Sequence, residues 1–371
     1  MAKIKDVIFE YSVRNKADEN INVYSVTNEK GFCTDYFSKE VASKDKTTYK
    51  IVPRGYFAYN PSRINVGSID WQNHEDRVIV SPLYVVFGVS EHVDQQYLLY
   101  YLKSDIMLSL IKESATGSVR DNLKLSTLEG FPINLRPIDE QHHIAAVLDK
   151  VSDLIAKRKQ QLDKLDELVK SRFIEMFGDP LHPVHSRALG DVAMLERGRF
   201  SPRPRNDPRY YGGDYPFIQT GDIAGCGHRL SEYRQTLNEK GIHVSKKFSA
   251  GTIVIAIVGA TIGATAILEI DVYAPDSVIG ISVNDELYNN VFMEALLQFW
   301  QPELVRIAPE SARANINLRI LQSIPIIDVE LPRQLQFASF VEQTDKSKLT
   351  IQRSCDKLEV LKKALMQRYF G

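Results

Sequence analysis

The sequence predicts an α+β chain: two mixed α/β lobes joined by two long antiparallel helices that pair as a coiled coil, with a pseudo-two-fold internal repeat. Three observations predict it. Ile144, Leu148, Val151, Ile155, Leu162, Leu165 and Val169 step by three and four, with Arg158 in the one missing slot, which is heptad spacing. Shifted by 193 positions the chain falls on itself, so that Gln141 and Ala145 meet Gln334 and Ala338. The rest is short apolar runs punctuated by Pro and Gly, the pattern of strands between turns.

The central helix covers residues 138–178. It opens behind Pro137 with Asp139 and Glu140 in its first turn, where negative charge favours a helix start, and Gly178 followed by Pro180 closes it. At 1.5 Å per residue it is roughly 60 Å long and needs a partner along most of that length. The 193-residue shift supplies one: Leu168 meets Leu361 and Phe177-Gly178 meets Phe370-Gly371. The distal helix, residues 332–371, offers Phe337, Val341, Ile351, Leu358 and Leu365 as pairing positions. Upstream, Ser118, Arg120, Asn122 and Pro132 meet Ser311, Arg313, Asn315 and Pro325, so each copy is a globular part followed by a long helix. The expected division is a first lobe at 1–137, the central helix, a second lobe at 179–331 and the distal helix.

In the first lobe, residues 6–11, 50–52, 56–59 and 78–80 read as strands, and the unbroken apolar run 83–88 as a strand buried on both faces. Residues 95–112 carry helical periodicity through Tyr97, Leu98, Tyr101, Leu102, Ile106 and Leu110. In the second lobe, residues 189–192 (LGDV) echo 4–7 (IKDV) at a different offset, so the front halves diverge. The run 252–268, TIVIAIVGATIGATAIL, is apolar and β-branched. Its length and its glycines make it marginal for a bilayer span, and two buried strands around a turn are expected.

Composition points to a multidomain protein of the cytoplasm. Hydrophobic content of 44% and charged content of 25% are ordinary globular values, and the net charge of −1 confines any nucleic-acid binding to local patches. Three scattered cysteines fit a reducing compartment, and the first residues lack the apolar core of a signal peptide.

Catalytic signatures are missing. No GxxxxGK[ST] loop is present, and residues 259–263 lie inside an apolar run without the spaced third glycine of a dinucleotide fingerprint. Asn60-Pro61-Ser62-Arg63 lacks the second proline and the aromatic of the Asn-Pro-Pro-aromatic element of adenine methyltransferases. His142 and His143, adjacent on a helix, point about 100° apart and are poorly placed to share an ion. A non-catalytic chain without cofactor or metal of its own is expected.

What is present suits nucleic acid. Residues 197–222 hold Arg197, Arg199, Ser201, Arg203, Arg205 and Arg209 with Tyr210, Tyr211 and Tyr215, and end in Gln219 and Thr220. Guanidinium forks bind phosphates or guanine edges, and amides read adenine. Asn60, Ser62, Arg63 and Asn65 form a second candidate segment, Ser118 and Arg120 a third, and Arg313 and Asn315 stand in the matching place of the second copy. The alternatives are a coiled-coil scaffold whose lobes bind other proteins, and an enzyme with an unrecognised site. Two unlike lobes on antiparallel helices imitate a DNA-binding dimer, with half-sites about one helical turn, roughly 34 Å, apart.

In residues 133–179, in the two S-[VA]-R-x-N…[FI]-P-I stretches that end each lobe, and in residues 188–198 (ALGDVAMLERG), the chain resembles the specificity subunit of bacterial type I restriction-modification enzymes over essentially its full length. The glycine-bearing run 259–263 is also similar to the target-recognition domains of that family. The first lobe departs from the pattern in its opening, which lacks the glycine-containing turn of residues 196–199. The resemblance implies that each lobe recognises half of a bipartite double-stranded DNA site. It implies helices that dock two adenine methyltransferase subunits, and ATP-dependent restriction subunits that join the assembly. S-adenosylmethionine, ATP and Mg would belong to those partners. An accessory specificity subunit of a methyltransferase without restriction is the neighbouring reading.

Overall fold

The computed structural model describes residues 2–34, 45–115, 122–308 and 315–371. The chain divides into two compact units, Met1–Lys159 with Arg353–Gly371, and Gln160–Gln352. Each unit contains one lobe, the start of one long helix and the end of the other.

The first unit is built on a four-stranded antiparallel sheet in the order Ile8–Glu10, Val85–Val89, Phe57–Tyr59 and Ile69–Trp71. The strand expected over 83–88 starts only at Val85, since Leu83 is exposed in the turn before it; Val85–Val89 lies inside the sheet, where Phe87 stacks on Phe57 at 5.0 Å on one face and Val86 joins Ala58 and Val80 in a cluster on the other. A ribbon of Lys50–Pro53 and Arg77–Val80 stands beside it. The expected helix over 95–112 is two helices, Gln95–Leu102 and Asp105–Ala115. Asp94 caps the first through Tyr97 N at 2.7 Å, and Ser104 restarts the chain by accepting from Met107 N at 3.4 Å. The apolar spacing runs on through the break, so periodicity alone reads it as one helix.

The second unit has a five-stranded sheet in the order Ala193–Arg197, Val278–Val283, Ile253–Ala256, Thr265–Leu268 and Arg229–Leu230. The run 252–268 forms two antiparallel strands with a short turn at Gly259–Thr261. One face of this sheet presents Ile253, Ile255, Ile279 and Ile281 to the helix Asn290–Ile307, and the other packs Val254, Ala256, Ala266 and Val278 into a separate cluster. A strand buried on both sides needs apolar residues at every position, which explains the membrane-like composition. Among the described residues no helix is long and apolar enough to cross a membrane. A four-stranded sheet, Gln235–Leu237, Tyr211–Phe217, Val272–Ala274 and Lys246–Phe248, completes the lobe.

The long helices are Ile138–Phe177 and Leu331–Phe370, each of 40 residues. In the first unit, Ile144 and Leu148 enter the lobe's core together with Phe370, and Val151 and Ile155 pack on Cys355, Leu358 and Leu365. Lys159 meets Glu359 at 3.0 Å while Arg136, just before the helix, donates to the Tyr369 carbonyl at 3.2 Å, so the segments run in opposite directions. In the second unit, Phe337 and Val341 join Phe173 in the lobe's core, with Val169 and Phe177 packed against it. Arg333 donates to the Met176 carbonyl and Lys348 pairs with Asp166, again in opposite directions. In both units an arginine satisfies an orphan carbonyl in a helix's last turn. In both, the terminal phenylalanine reaches the lobe: Phe370 lies 5.3 Å from Tyr97, and Phe177 lies 4.9 Å from Phe292. Leu162, Leu165 and Ile351 are only half-buried.

Candidate nucleic-acid interface

The arginine-rich segment of the second lobe starts where the strand Ala193–Arg197 leaves its sheet. Gly198 N donates to the Val278 carbonyl at 2.8 Å and Arg199 N to the Ala274 carbonyl at 3.0 Å. A Cβ on Gly198 would stand 2.2 Å from the Pro275 oxygen, so only glycine lets the chain cross here. Phe200 then plugs into a small core with Phe217 and Leu237. Beyond it residues 201–207 loop outward before the chain returns as the strand Tyr211–Phe217.

The arginines are braced by their own loop and by residues that the fold brings beside it. Arg199 Nη2 donates to the carbonyls of His243 and Ser245 at 3.4 and 3.3 Å, and Arg203 Nη1 to those of Phe200 and Pro202 at 3.0 and 2.8 Å. Asp276 gathers three of them: its carboxylate meets Arg205 at 2.6 Å and Arg203 at 3.8 Å, and its carbonyl accepts from Arg197 Nε at 2.6 Å. Arg209 forks onto Asp207, and those hydrogen bonds hold the Asp207 carboxyl below its ordinary value. Bracing removes the rotamer freedom of long side chains before any ligand arrives. Arg199, Ser201, Arg203 and Arg205 are all exposed.

Tyr210 and Tyr211 serve the core as well as the surface. Tyr211 sits 6.0 Å from Phe217 and donates its hydroxyl to the Arg205 carbonyl at 2.5 Å, while Tyr210 stands edge-on to Phe200 at 6.1 Å. Between this loop and the strand Gln235–Leu237 lies a cleft of about 540 Å³, lined by Phe200, Arg205, Tyr211, Phe217, Gln219 and Gln235 among others. Gln219 and Thr220 lie at the start of the helix Thr220–Gly225.

In the first lobe, Asn60 folds its own loop: its side chain accepts from Ser62 N at 3.1 Å and from Ser62 Oγ at 2.9 Å. Arg63 and Ser62 are exposed, and Asn65 lies half-buried in the turn Ile64–Val66. Tyr59 OH donates to the Leu123 carbonyl at 3.1 Å, and Leu123 N to the Pro61 carbonyl at 3.1 Å, which joins this loop to the stretch where the third candidate segment ends. Ser118, Arg120 and Arg313 lie outside the described residues. Asn315, two residues past Arg313, bridges Val258 beside the turn Gly259–Thr261. Two participants escaped the sequence: Asp276, 71 residues from Arg205, and Gln235, bonded to Gln219 across 16 residues. Neither stands in a recognisable pattern, because strand pairing alone brings them in.

A repeated α/β unit with a polar, arginine-bearing surface, tied into long helices, is the class of protein this architecture defines. Residues 3–167 and 183–362 each match the type I restriction modification DNA specificity domain, and the chain belongs to that family. Its place is that of the DNA sequence-recognition subunit of a type I restriction-modification system. The MjaIX specificity subunit of Methanocaldococcus jannaschii is 24% identical over 298 residues, covering 74% of this chain and 68% of that one. Two solved structures share the fold. The S subunit of a type I system from M. genitalium superposes with a TM-score of 0.56 at 14% identity, covering 100% of this chain and 95% of its own. A chain solved in work on the complex assembly and conformational transition of a type I R-M system gives 0.58 at 17% identity, with 100% and 96% covered.

Proposed function

We propose that each lobe of this chain reads one half of an asymmetric, bipartite DNA site, and that the long helices, paired as a coiled coil about a pseudo-two-fold axis, set the spacer between the halves. One observation carries the reading: the two units attach lobe to helices by the same contacts yet present unlike surfaces. Gln141 and Gln334, Arg136 and Arg333, and Phe370 and Phe177 are matched joints. The loops they carry differ, an Asn-Ser turn in one lobe and a braced arginine segment in the other. Same frame and different reading surfaces is what an asymmetric two-part target requires.

On this reading the site residues are Asn60, Ser62, Arg63, Asn65, Ser118 and Arg120 in the first lobe. In the second they are Arg199, Ser201, Arg203, Arg205, Tyr210, Tyr211, Gln219, Thr220, Arg313 and Asn315. The chain itself does no chemistry. Two methyltransferase subunits dock on the helical regions and restriction subunits join through them, so that S-adenosylmethionine, ATP and Mg act in the partners, in the cytoplasm. A gel shift with pooled bipartite duplexes, with and without the methyltransferase subunits, tests the reading. Binding should fall steeply with salt, as phosphate contacts demand. Inserting seven residues into each long helix should lengthen the accepted spacer and leave both half-site sequences unchanged. Salt-independent binding, or none to any duplex, contradicts it.

A further inference from the structure

In the second lobe, Gln219 Nε2 donates to Gln235 Oε1 at 2.6 Å, and both side chains are exposed on the wall of the aromatic-floored cleft. Two exposed glutamines seldom pair without help, because each gives up rotamer freedom for a bond that water would otherwise supply. Here both backbones are fixed first. Gln219 N donates to Asp222 Oδ2 at 2.8 Å, Asp222 is held by Arg234 at 3.4 Å, and Ile218 N is tied to the Tyr273 carbonyl at 3.0 Å. Gln235 stands opposite Phe217 in the antiparallel register, so the two amides project from adjoining backbone.

Once paired, Gln219 retains its carbonyl oxygen and one N–H, and Gln235 retains both N–H donors. The result is a pre-set row of donor and acceptor, aimed outward beside the cationic Arg205 that shares the cleft wall. In the major groove adenine alone offers an adjacent acceptor and donor, N7 and N6–H, to such an amide; guanine offers two acceptors and repels the carbonyl. We propose that the Gln219–Gln235 amide pair is the adenine-reading element of the second lobe, with Gln219 the specificity-determining residue and Gln235 the partner that fixes which way its amide faces. This rests on the DNA-recognition reading above and names the base that one part of the surface selects.

The test uses the full chain assembled with its methyltransferase subunits, a randomised pool of bipartite duplexes, and base preference read at every position. Gln219→Leu should lower the preference for adenine at a single position of one half-site by about tenfold, the loss expected of one bidentate base contact. Every other position, and the whole of the other half-site, should be unchanged. Gln219→Glu should move the same position toward cytosine, whose N4 amine a carboxylate accepts; a merely structural role cannot produce that switch. An unchanged profile with both variants, or an equal loss at all positions, overturns the assignment while leaving the two-part reading standing. A wild-type profile with no two-part motif overturns that parent reading, and this inference falls with it.

Discussion

Gln141 and Gln334 hold equivalent places in the two units. Each is fully buried, and each accepts from the backbone N–H of a helix cap, Asp94 at 3.0 Å in one unit and Asn289 at 2.9 Å in the other. Each also donates twice, to the carbonyls of His92 and Arg136, or of Leu287 and Val329, at 2.7 to 3.0 Å. One side chain thus locks a lobe's helix cap, the residues before it and the start of a long helix together. Three polar groups lose their partners when it goes.

Replacing either glutamine with alanine is therefore expected to cost about 2–4 kcal/mol, since each stranded buried group costs about 1 kcal/mol or more. Urea unfolding of Gln141→Ala and Gln334→Ala measures this. A loss below about 0.5 kcal/mol would show that water or local rearrangement replaces the bonds.

These glutamines also show what could be read from the chain and what could not. The 193-residue repeat exposes Gln141 and Gln334 as a matched pair because both joints lie in the copied segments; their partners Asp94 and Asn289 lie in the diverged lobes, outside the ungapped repeat. Strands such as Val85–Val89 were legible because burial on both faces forces an unbroken apolar run. Heptad spacing marks residues 144–169 as one seam, yet Ile144 and Leu148 belong to a lobe core, and the heptad slot four residues past Ile351, equivalent to Leu162, is filled by Cys355, which is not among the pairing positions expected from the sequence. The arginine segment stood out by composition. Its bracing by Asp276 and by backbone carbonyls depends on a sheet formed across long sequence distances.

Burial sets the next expectation. Leu148 is 0% exposed, and Leu148→Ala should cost about 2–5 kcal/mol, as large-to-small changes in packed cores do. Leu165 is half-buried, and Leu165→Ala should cost less than about 1 kcal/mol, since partial burial removes less area. Chemical denaturation of the two variants side by side checks the ordering, and equal losses would contradict it.

Glu294 gives a pH dependence with a definite sign. It is buried in the second unit, where Thr265 Oγ1 and Gln298 Nε2 donate to its Oε1 at 2.8 and 2.7 Å. Burial pushes its carboxyl above the ordinary 4.5, and the nearby His228 only partly offsets that. A raised folded value means that its contribution is fully present below 4.5 and is lost as pH rises through the raised value. Glu294→Gln keeps the acceptor and removes the titration. Its melting temperature should equal the wild type's near pH 4 and exceed it increasingly toward pH 8, and thermal melts across that range decide. A difference that does not change with pH would sink this assignment.

Asp276 holds Arg205 and Arg203 in place but also cancels charge that phosphates would meet. Asp276→Asn should tighten DNA binding a few-fold and steepen its salt dependence by up to about one unit of log–log slope, the value of one phosphate contact. Arg205→Ala should do the opposite. Fluorescence anisotropy across a salt series reads both. Weaker binding by Asp276→Asn would mean that ordering the loop matters more than freeing its cations.

The most direct measurement exchanges residues 179–331 for those of a relative with a different target and reads the DNA motif that the chain then selects from a randomised pool of duplexes. Two independent reading lobes predict that one half of the bipartite motif changes to the donor's sequence while the other half and the spacer stay as they were. A motif that changes in both halves, or in neither, contradicts the account.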